Sequence, residues 1–248
     1  MPFRPRKYLL LLAVCVSLQV HAADTPLIVC VDAANPPFMS LVDGKPRGLY
    51  PSVIAAALQA AGVSATVDAR PWKRCITDMD DGTVGVGGIY KNDERVQKYD
   101  FSEPIFVERM AVYIHTQHPL DFVGTDSLLG KRIGVVRGWS YGDAFDKAVK
   151  DGKITVEEVT ADAQNFQKIA AGRIDAVLAI EEAGAALLKT GKFTGVLKSQ
   201  HYLFENPTYL AFNKRTARTD ALRKFNKAIA SMKKSGQLQK IARDELGK

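Results

Sequence analysis

Twice along this chain a short run of β-branched and aliphatic residues gives way to a stretch with helical spacing, and that repeated alternation leaves few architectures open. Leu27-Ile-Val-Cys-Val31 reads as a buried strand. Two prolines forbid its continuation, so Asp32 to Pro37 is a loop, and Phe38 to Leu41 with the Asp43-Gly44 turn form a small hairpin. Ser52 begins a helix with Val53, Ile54, Ala57, Leu58 and Ala61 on one face and Gly62 as its stop. Ser64 to Ala69 is a strand, Trp72 to Met79 a helix and Val84 to Gly87 a strand. The pattern restarts with strands at Met110 to His115, Ile133 to Val136, Ile154 to Val159 and Ile174 to Ile180. Helices follow Gly142 and span Ala163 to Ala171 and Glu181 to Leu188. Thr208 to Phe212 returns as a strand, and Thr219 caps a long helix with Leu222, Phe225, Ile229 and Met232 inward and Gly236 at its end. Such alternation implies parallel sheets covered by helices, here an α/β fold of two lobes with a cleft between them.

The stretch Gly82 to Val107 is the most informative for chemistry. Val84 and Val86, bounded by Gly82 and Gly87-Gly88, read as a buried strand entering a tight turn that ends at Tyr90. Arg95 follows, and a guanidinium is the side chain best shaped to grip a carboxylate with two parallel hydrogen bonds. Two readings are open. Arg95 anchors an anion beyond the strand end, or it pairs on the surface with Asp93, Glu94 or Glu103.

The N-terminus speaks for export. Arg4, Arg6 and Lys7 precede an apolar run from Tyr8 to Val20, too short for a membrane span, and Val20-His21-Ala22 supplies a cleavage site. The expected product starts at Ala23 and is periplasmic. Cys15 does not make it a lipoprotein, because Val14 is too large for the preceding position and the apolar run would be cut in half. Removing three cations with the leader lowers the formal charge from +7 to +4, and the lysines are dispersed, which argues against nucleic acid. Arg223, Lys224, Lys227, Lys233 and Lys234 fit a solvated helix face. Cys30 and Cys75 remain, as a disulfide or as two buried thiols. With His115, His118 and His201 the only histidines left, no metal-ligand spacing is present, and no cofactor or nucleophile motif is seen.

Several short motifs then occur in a telling order. They are Asp32-Ala-Ala-Asn-Pro-Pro-Phe38, Gly44-Lys-Pro-Arg-Gly48, Asn92-Asp-Glu-Arg95 and Phe101-Ser-Glu-Pro104. Leu129-Gly-Lys-Arg-Ile-Gly-Val-Val-Arg-Gly138 and Gly172-Arg-Ile-Asp-Ala-Val177 follow in the second half. In these the chain resembles family 3 of the bacterial extracellular solute-binding proteins, the periplasmic receptors for polar amino acids. The resemblance implies two lobes, 23–110 with 211–248 and 111–210, joined by crossing strands near Val107 to His115 and Asn206 to Phe212. It also implies a ligand carboxylate held by Arg95, assisted by Ser140 and Tyr141 at a helix N-terminus, where exposed amides favour an anion. Asp32 would hold the ammonium, and Phe38 and Trp72 would form an aromatic wall.

The departures from the family pattern matter as much. The second-lobe acid position falls on Ile180, with Glu181 and Glu182 just after it, so Glu181 takes the ammonium only if the register moves by one. The turn before the arginine is Gly87-Gly-Ile-Tyr90 rather than a Ser/Thr-rich segment, and Tyr50-Pro-Ser52 replaces an acid pair. Arg74 adds a cation, to a carboxylate or to Asp78 one helical turn on. Asp175, at a strand start, reads as structural. The expected function is a monomeric, non-enzymatic receptor for a small carboxylate-bearing ligand that serves a membrane permease of an ABC transporter. A sensor component is one alternative. The other is a small dehydratase on the same fold, for which Glu181, Glu182 or His201 would be the acid.

Overall fold

The structure is a computed structural model of the 248-residue chain and describes residues 26–247. The expected leader and its cleavage after Ala22 lie outside the described residues. In chain order the first elements are β1 (Leu27–Asp32), β2 (Ala34–Asn35), β3 (Met39–Val42), β4 (Lys45–Arg47), α1 (Leu49–Ala60), β5 (Ala65–Arg70), α2 (Trp72–Asp80), β6 (Gly85–Tyr90), α3 (Asp93–Lys98), β7 (Tyr99–Phe101) and β8 (Phe106–His115). There follow β9 (Arg132–Val136), α4 (Asp143–Lys150), β10 (Thr155–Val159), α5 (Asp162–Ala170), β11 (Ala176–Ile180), α6 (Glu181–Lys189), β12 (Val196–Asn213), α7 (Thr219–Ser235) and α8 (Gln237–Leu246).

A nine-stranded mixed sheet runs in the order β10-β9-β11-β8-β12-β6-β1-β5, with β7 added to β12. Its two ends are parallel, β5-β1-β6 on one side and β10-β9-β11 on the other. Between them β8 and β12 run antiparallel to each other and to their outer neighbours, so both belong to both halves. The apolar runs seen in the sequence become the core. Val29, Cys30 and Val31 of β1, Val53 and Ile54 of α1, and Phe225, Ile229 and Met232 of α7 are all buried. A second cluster, with Tyr113, Phe166, Ile169 and Val177, fills the far half. Full burial of each such aliphatic side chain is worth about 1.5–3 kcal/mol. Of the two readings of the cysteines, the structure has the disulfide, Cys30 to Cys75 with Cα atoms 5.5 Å apart, tying α2 to β1.

Several boundaries differ from expectation for physical reasons. Helix α1 starts at Leu49, not Ser52, because Pro51 sits in the first turn, where its missing N–H costs nothing. Strand β6 does not stop at Gly87 but runs to Tyr90. Its pairing with β12 shifts register between Tyr209 and Leu210, opposite Gly88, which takes φ +75° as the extra residue of a bulge. Gly88 is needed for space as well, since a Cβ there would lie 2.7 Å from the Tyr50 ring. Strand β12 covers 18 residues where only Thr208 to Phe212 was expected. Its first part is polar, and only the ladder with β8 makes it a strand. Helix α8 was not foreseen: Gly236, with φ +79°, both ends α7 and opens α8.

Candidate functional site

The two parallel half-sheets point their carboxyl ends at each other, the location where α/β sheets bind ligands. There a narrow cavity of about 10 Å³ lies between them. Tyr90 and Ile180 line it from the ends of β6 and β11, Trp72 from the start of α2, and Arg95 from α3. Trp139 and Ser140 come from the loop after β9, Glu108 from β8 and Met39 from β3.

Arg95 is brought there by a short helix whose cap serves twice. The side-chain oxygen of Asn92 accepts from the Arg95 amide at 2.8 Å, and its amide nitrogen donates to the Ser140 hydroxyl at 3.0 Å. The Arg95 side chain is 8% exposed. Its guanidinium donates to the carbonyl oxygens of Tyr90, at 3.1 Å, and Gly138, at 3.2 Å. Among the described residues it forms no ion pair, and Glu94 pairs with Lys98 at 2.6 Å instead. Surface pairing with Asp93, Glu94 or Glu103 is therefore not what holds Arg95. Burial pulls its pKa below the ordinary guanidinium value, so the site contains a desolvated cation that would gain from an anion.

The Gly138–Ser140 loop clasps the other half. The carbonyl of Gly138 accepts from the Trp72 indole at 3.0 Å as well as from Arg95. The Trp139 indole donates to Asp32 at 3.3 Å, and the Trp72 and Trp139 rings meet edge to face, 6.2 Å apart. Two aromatics thus wall the cavity. Trp139 lies inside the Gly138-Trp-Ser-Tyr-Gly142 segment that the sequence marks as a turn, but periodicity has no means of assigning it to the wall.

Three buried acids surround this region. Asp32 accepts from the Ala34 amide at 3.0 Å and from Trp139, yet burial raises its pKa to about 6. Asp162, at the start of α5, has one carboxylate oxygen without a hydrogen-bond partner, and burial followed by repulsion from Asp32 raises it to about 7. Glu108 is 2% exposed, and the hydroxyls of Tyr50 and Tyr90 donate to its two oxygens. Burial lifts its pKa to about 8 against the lowering effect of those two hydrogen bonds. Neither Glu108 nor Asp162 stands out in the sequence.

Of the residues singled out from sequence, Arg95, Trp72, Tyr90 and Ser140 come together around the cavity, and Asp32 stands behind Trp139. Phe38 does not line it. It lies in the turn before β3, fully buried between Tyr50 and Phe106, while Met39, the first residue of β3, reaches the cavity. Arg74 is 67% exposed and pairs with Asp78 at 2.8 Å, the helical-neighbour reading. The Tyr141 ring packs on Phe145, and its amide donates to Asp146 at 3.0 Å, the same carboxylate that accepts from the Ser140 hydroxyl at 2.6 Å. The Tyr141 amide is thus occupied by an acid of its own helix. Glu181 spends its carboxylate on Arg109 at 2.5 Å and Lys198 at 2.6 Å, outside the cavity wall. His201 is exposed, and Asp175 accepts from the Arg132 amide at 2.7 Å in a structural role. Among the described residues no cluster of acids, histidines and cysteines could hold a metal, and no helix is long and apolar enough to cross a membrane.

Comparison with known proteins identifies the family and the fold. Residues 27–248 match the family described as bacterial extracellular solute-binding proteins, family 3. The chain is 26% identical over 224 residues to the L-cystine-binding protein TcyJ of Escherichia coli (strain K12), covering 89% of this chain and 82% of that protein. Its fold superposes on an ancestral arginine-binding protein bound to arginine with a TM-score of 0.76 and 27% identity, covering 88% of this chain and 97% of the other. It superposes equally on a histidine kinase sensor domain similar to periplasmic binding proteins, with a TM-score of 0.78 and 19% identity over 90% of this chain and 96% of the other.

Proposed function

This chain belongs to the bacterial extracellular solute-binding proteins of family 3, and from that footing we propose that it captures a small carboxylate-bearing ligand of amino-acid type between its two halves for a membrane permease of an ABC transporter. The observation that carries this reading is Arg95, a buried guanidinium in the cavity wall that donates to two carbonyl oxygens and, among the described residues, forms no ion pair. A ligand carboxylate would supply the missing charge and use donors that backbone oxygens leave free. Trp72 and Trp139 would cover the ligand, and Ser140 would contact it from the second half. Lobes 23–110 with 211–248 and 111–210 would open and close by bending β8 and β12, the two strands shared by both halves. The exported, periplasmic location belongs to the same proposal.

The relatives named above are binding proteins, and the residues weighed as a dehydratase acid, Glu181, Glu182 and His201, do not line the cavity. A sensor role would use the same capture step, and a permease or a receptor would read the same closed form. The test is a thermal-shift screen of residues 23–248, stripped of carried ligand by unfolding and refolding, against amino acids, small dicarboxylates and amines. A ligand at 100 times its Kd adds roughly 2.7 kcal/mol of stability. A shift that Arg95→Ala abolishes supports capture, and no shift with any carboxylate overturns it.

A further inference from the structure

We propose that Glu108 receives the cationic group of the ligand, so that the cavity takes a zwitterion with its carboxylate at Arg95 and its ammonium at Glu108. This rests on the capture reading above and names the ligand's second charge.

A buried guanidinium and a buried carboxyl group share one small cavity. Arg95 and Glu108 both line the cavity, and neither forms an ion pair, with the other or with any described residue. A buried guanidinium without an anion is costly, and a buried carboxyl group without a cation is driven to its neutral form. A ligand with both charges satisfies both at once.

The position is also suited to the task. Ile180 stands where the resemblance expects an ammonium-binding acid, and it too lines the cavity. On the sheet Ile180 pairs directly with Met110, two residues from Glu108 along β8. The carboxylate missing from β11 is thus supplied from the adjoining strand, one that both halves share. Tyr50 from α1 and Tyr90 from β6 hold its two oxygens in place as positioning residues. Each oxygen keeps a lone pair for a further donor. Glu181, the other candidate for the ammonium, is already neutralised by Arg109 and Lys198.

The groups acting on Glu108 are the phenols of Tyr50 and Tyr90 and the carboxylate of Glu182 on α6, with Arg95 across the cavity on α3. Burial and Glu182 keep Glu108 protonated at neutral pH when the cavity holds no cation. An arriving ammonium then displaces that proton: Glu108 carboxyl plus ligand ammonium gives a carboxylate–ammonium pair and one proton released to solvent. Affinity for a zwitterion accordingly rises with pH up to about 8, the folded pKa of Glu108, and levels off above it.

The experiment is calorimetry on the full mature chain with the L-amino acids, L-cystine included, each beside its des-amino carboxylate. Titrations of the tightest binder at pH 7 in buffers of different ionisation enthalpy count protons released. The expected result is a zwitterion preferred over its des-amino analogue by about 10-fold or more, with close to one proton released. In Glu108→Gln that preference and the proton release both disappear. A wild type that binds the des-amino carboxylate as well as the amino acid overturns the assignment while leaving carboxylate capture intact. So does a Glu108→Gln variant that still releases the proton. No binding of any carboxylate overturns the capture reading and this one together. Should Glu108→Gln fail to fold, Tyr90→Phe serves as second variant: loss of a hydrogen bond that lowers the Glu108 pKa moves the pH profile of zwitterion affinity upward, and an unmoved profile counts against the assignment.

Discussion

The carbonyl oxygen of Gly138 accepts a hydrogen bond from the Arg95 guanidinium at 3.2 Å, across the line where one half of the sheet meets the other. The same oxygen takes the Trp72 indole N–H at 3.0 Å. One backbone atom in a turn after β9 therefore holds two side chains of the opposite half, and Arg95 is positioned for closure as well as for an anion.

Replacing Arg95 removes both roles. Arg95→Ala is expected to weaken a carboxylate ligand by at least about 30-fold, the lower bound for stripping one partner from a buried charge pair. Arg95→Lys keeps the charge but not the planar fork and should fall between the two. Isothermal calorimetry reads this directly; an Arg95→Ala affinity within about twofold of wild type would remove the anchor.

The only two tryptophans of the chain, Trp72 and Trp139, are both in the cavity wall. Intrinsic fluorescence is consequently a probe of the site alone. Ligand addition should shift or quench emission along the same saturation curve that calorimetry gives. Trp139→Phe, which also removes the hydrogen bond to Asp32, should halve the signal or more and weaken binding. An emission spectrum insensitive to a bound ligand would place the ligand elsewhere.

The pH dependence of stability has a definite sign. Asp32 and Asp162 have folded pKa values of about 6 and about 7, both raised from 3.8 by burial. An acid raised on folding stabilises the folded state fully below its unfolded pKa, and that stabilisation is lost as pH rises through the folded value. The empty protein should therefore lose stability between about pH 4 and pH 8, by up to about 7 kcal/mol for these two groups on the order-of-magnitude conversion of shift to energy. Asp162→Asn should flatten the slope between about pH 5 and pH 7 in thermal melts; an unchanged slope would show that Asp162 is charged in the folded state.

Reducing the Cys30–Cys75 bond frees a chain closed over 45 residues. Loop-closure entropy puts the loss near 4 kcal/mol, within the usual 2–4 kcal/mol for such bonds. Chemical unfolding of the Cys30→Ser/Cys75→Ser variant measures it. The oxidised wild type in denaturant should show no reactive thiol from this pair, and two would contradict the bond.

How much of the site was legible in the chain depended on the kind of signal. Arg95 could be found because a lone cation after a glycine-rich strand is a local pattern, and Trp72 because the family resemblance implies an aromatic wall. Glu108 could not. It lies in the expected crossing strand, but nothing local marks it as a site residue until β8 pairs with β11 and β12 and the hydroxyls of Tyr50 and Tyr90 reach its carboxyl group. Asp162 looked like an ordinary first-turn helix acid. Phe38 and Met39 could not be told apart either, since which of two adjacent apolar residues reaches the cavity is decided by tertiary packing.

What the sequence determined by itself was the alternation of strands and helices, the two blocks, and the motifs that place the chain in its family. These follow from local periodicity, turn chemistry and residue order, which need no partner segment. Tertiary structure alone decided which residues share the cavity, because its wall is assembled from β3, α2, β6, α3, β8, β9 and β11, segments more than a hundred residues apart. It also decided their charge. A carboxyl group's protonation depends on what surrounds it, and the surroundings of Asp32, Glu108 and Asp162 exist only once both halves of the sheet have come together.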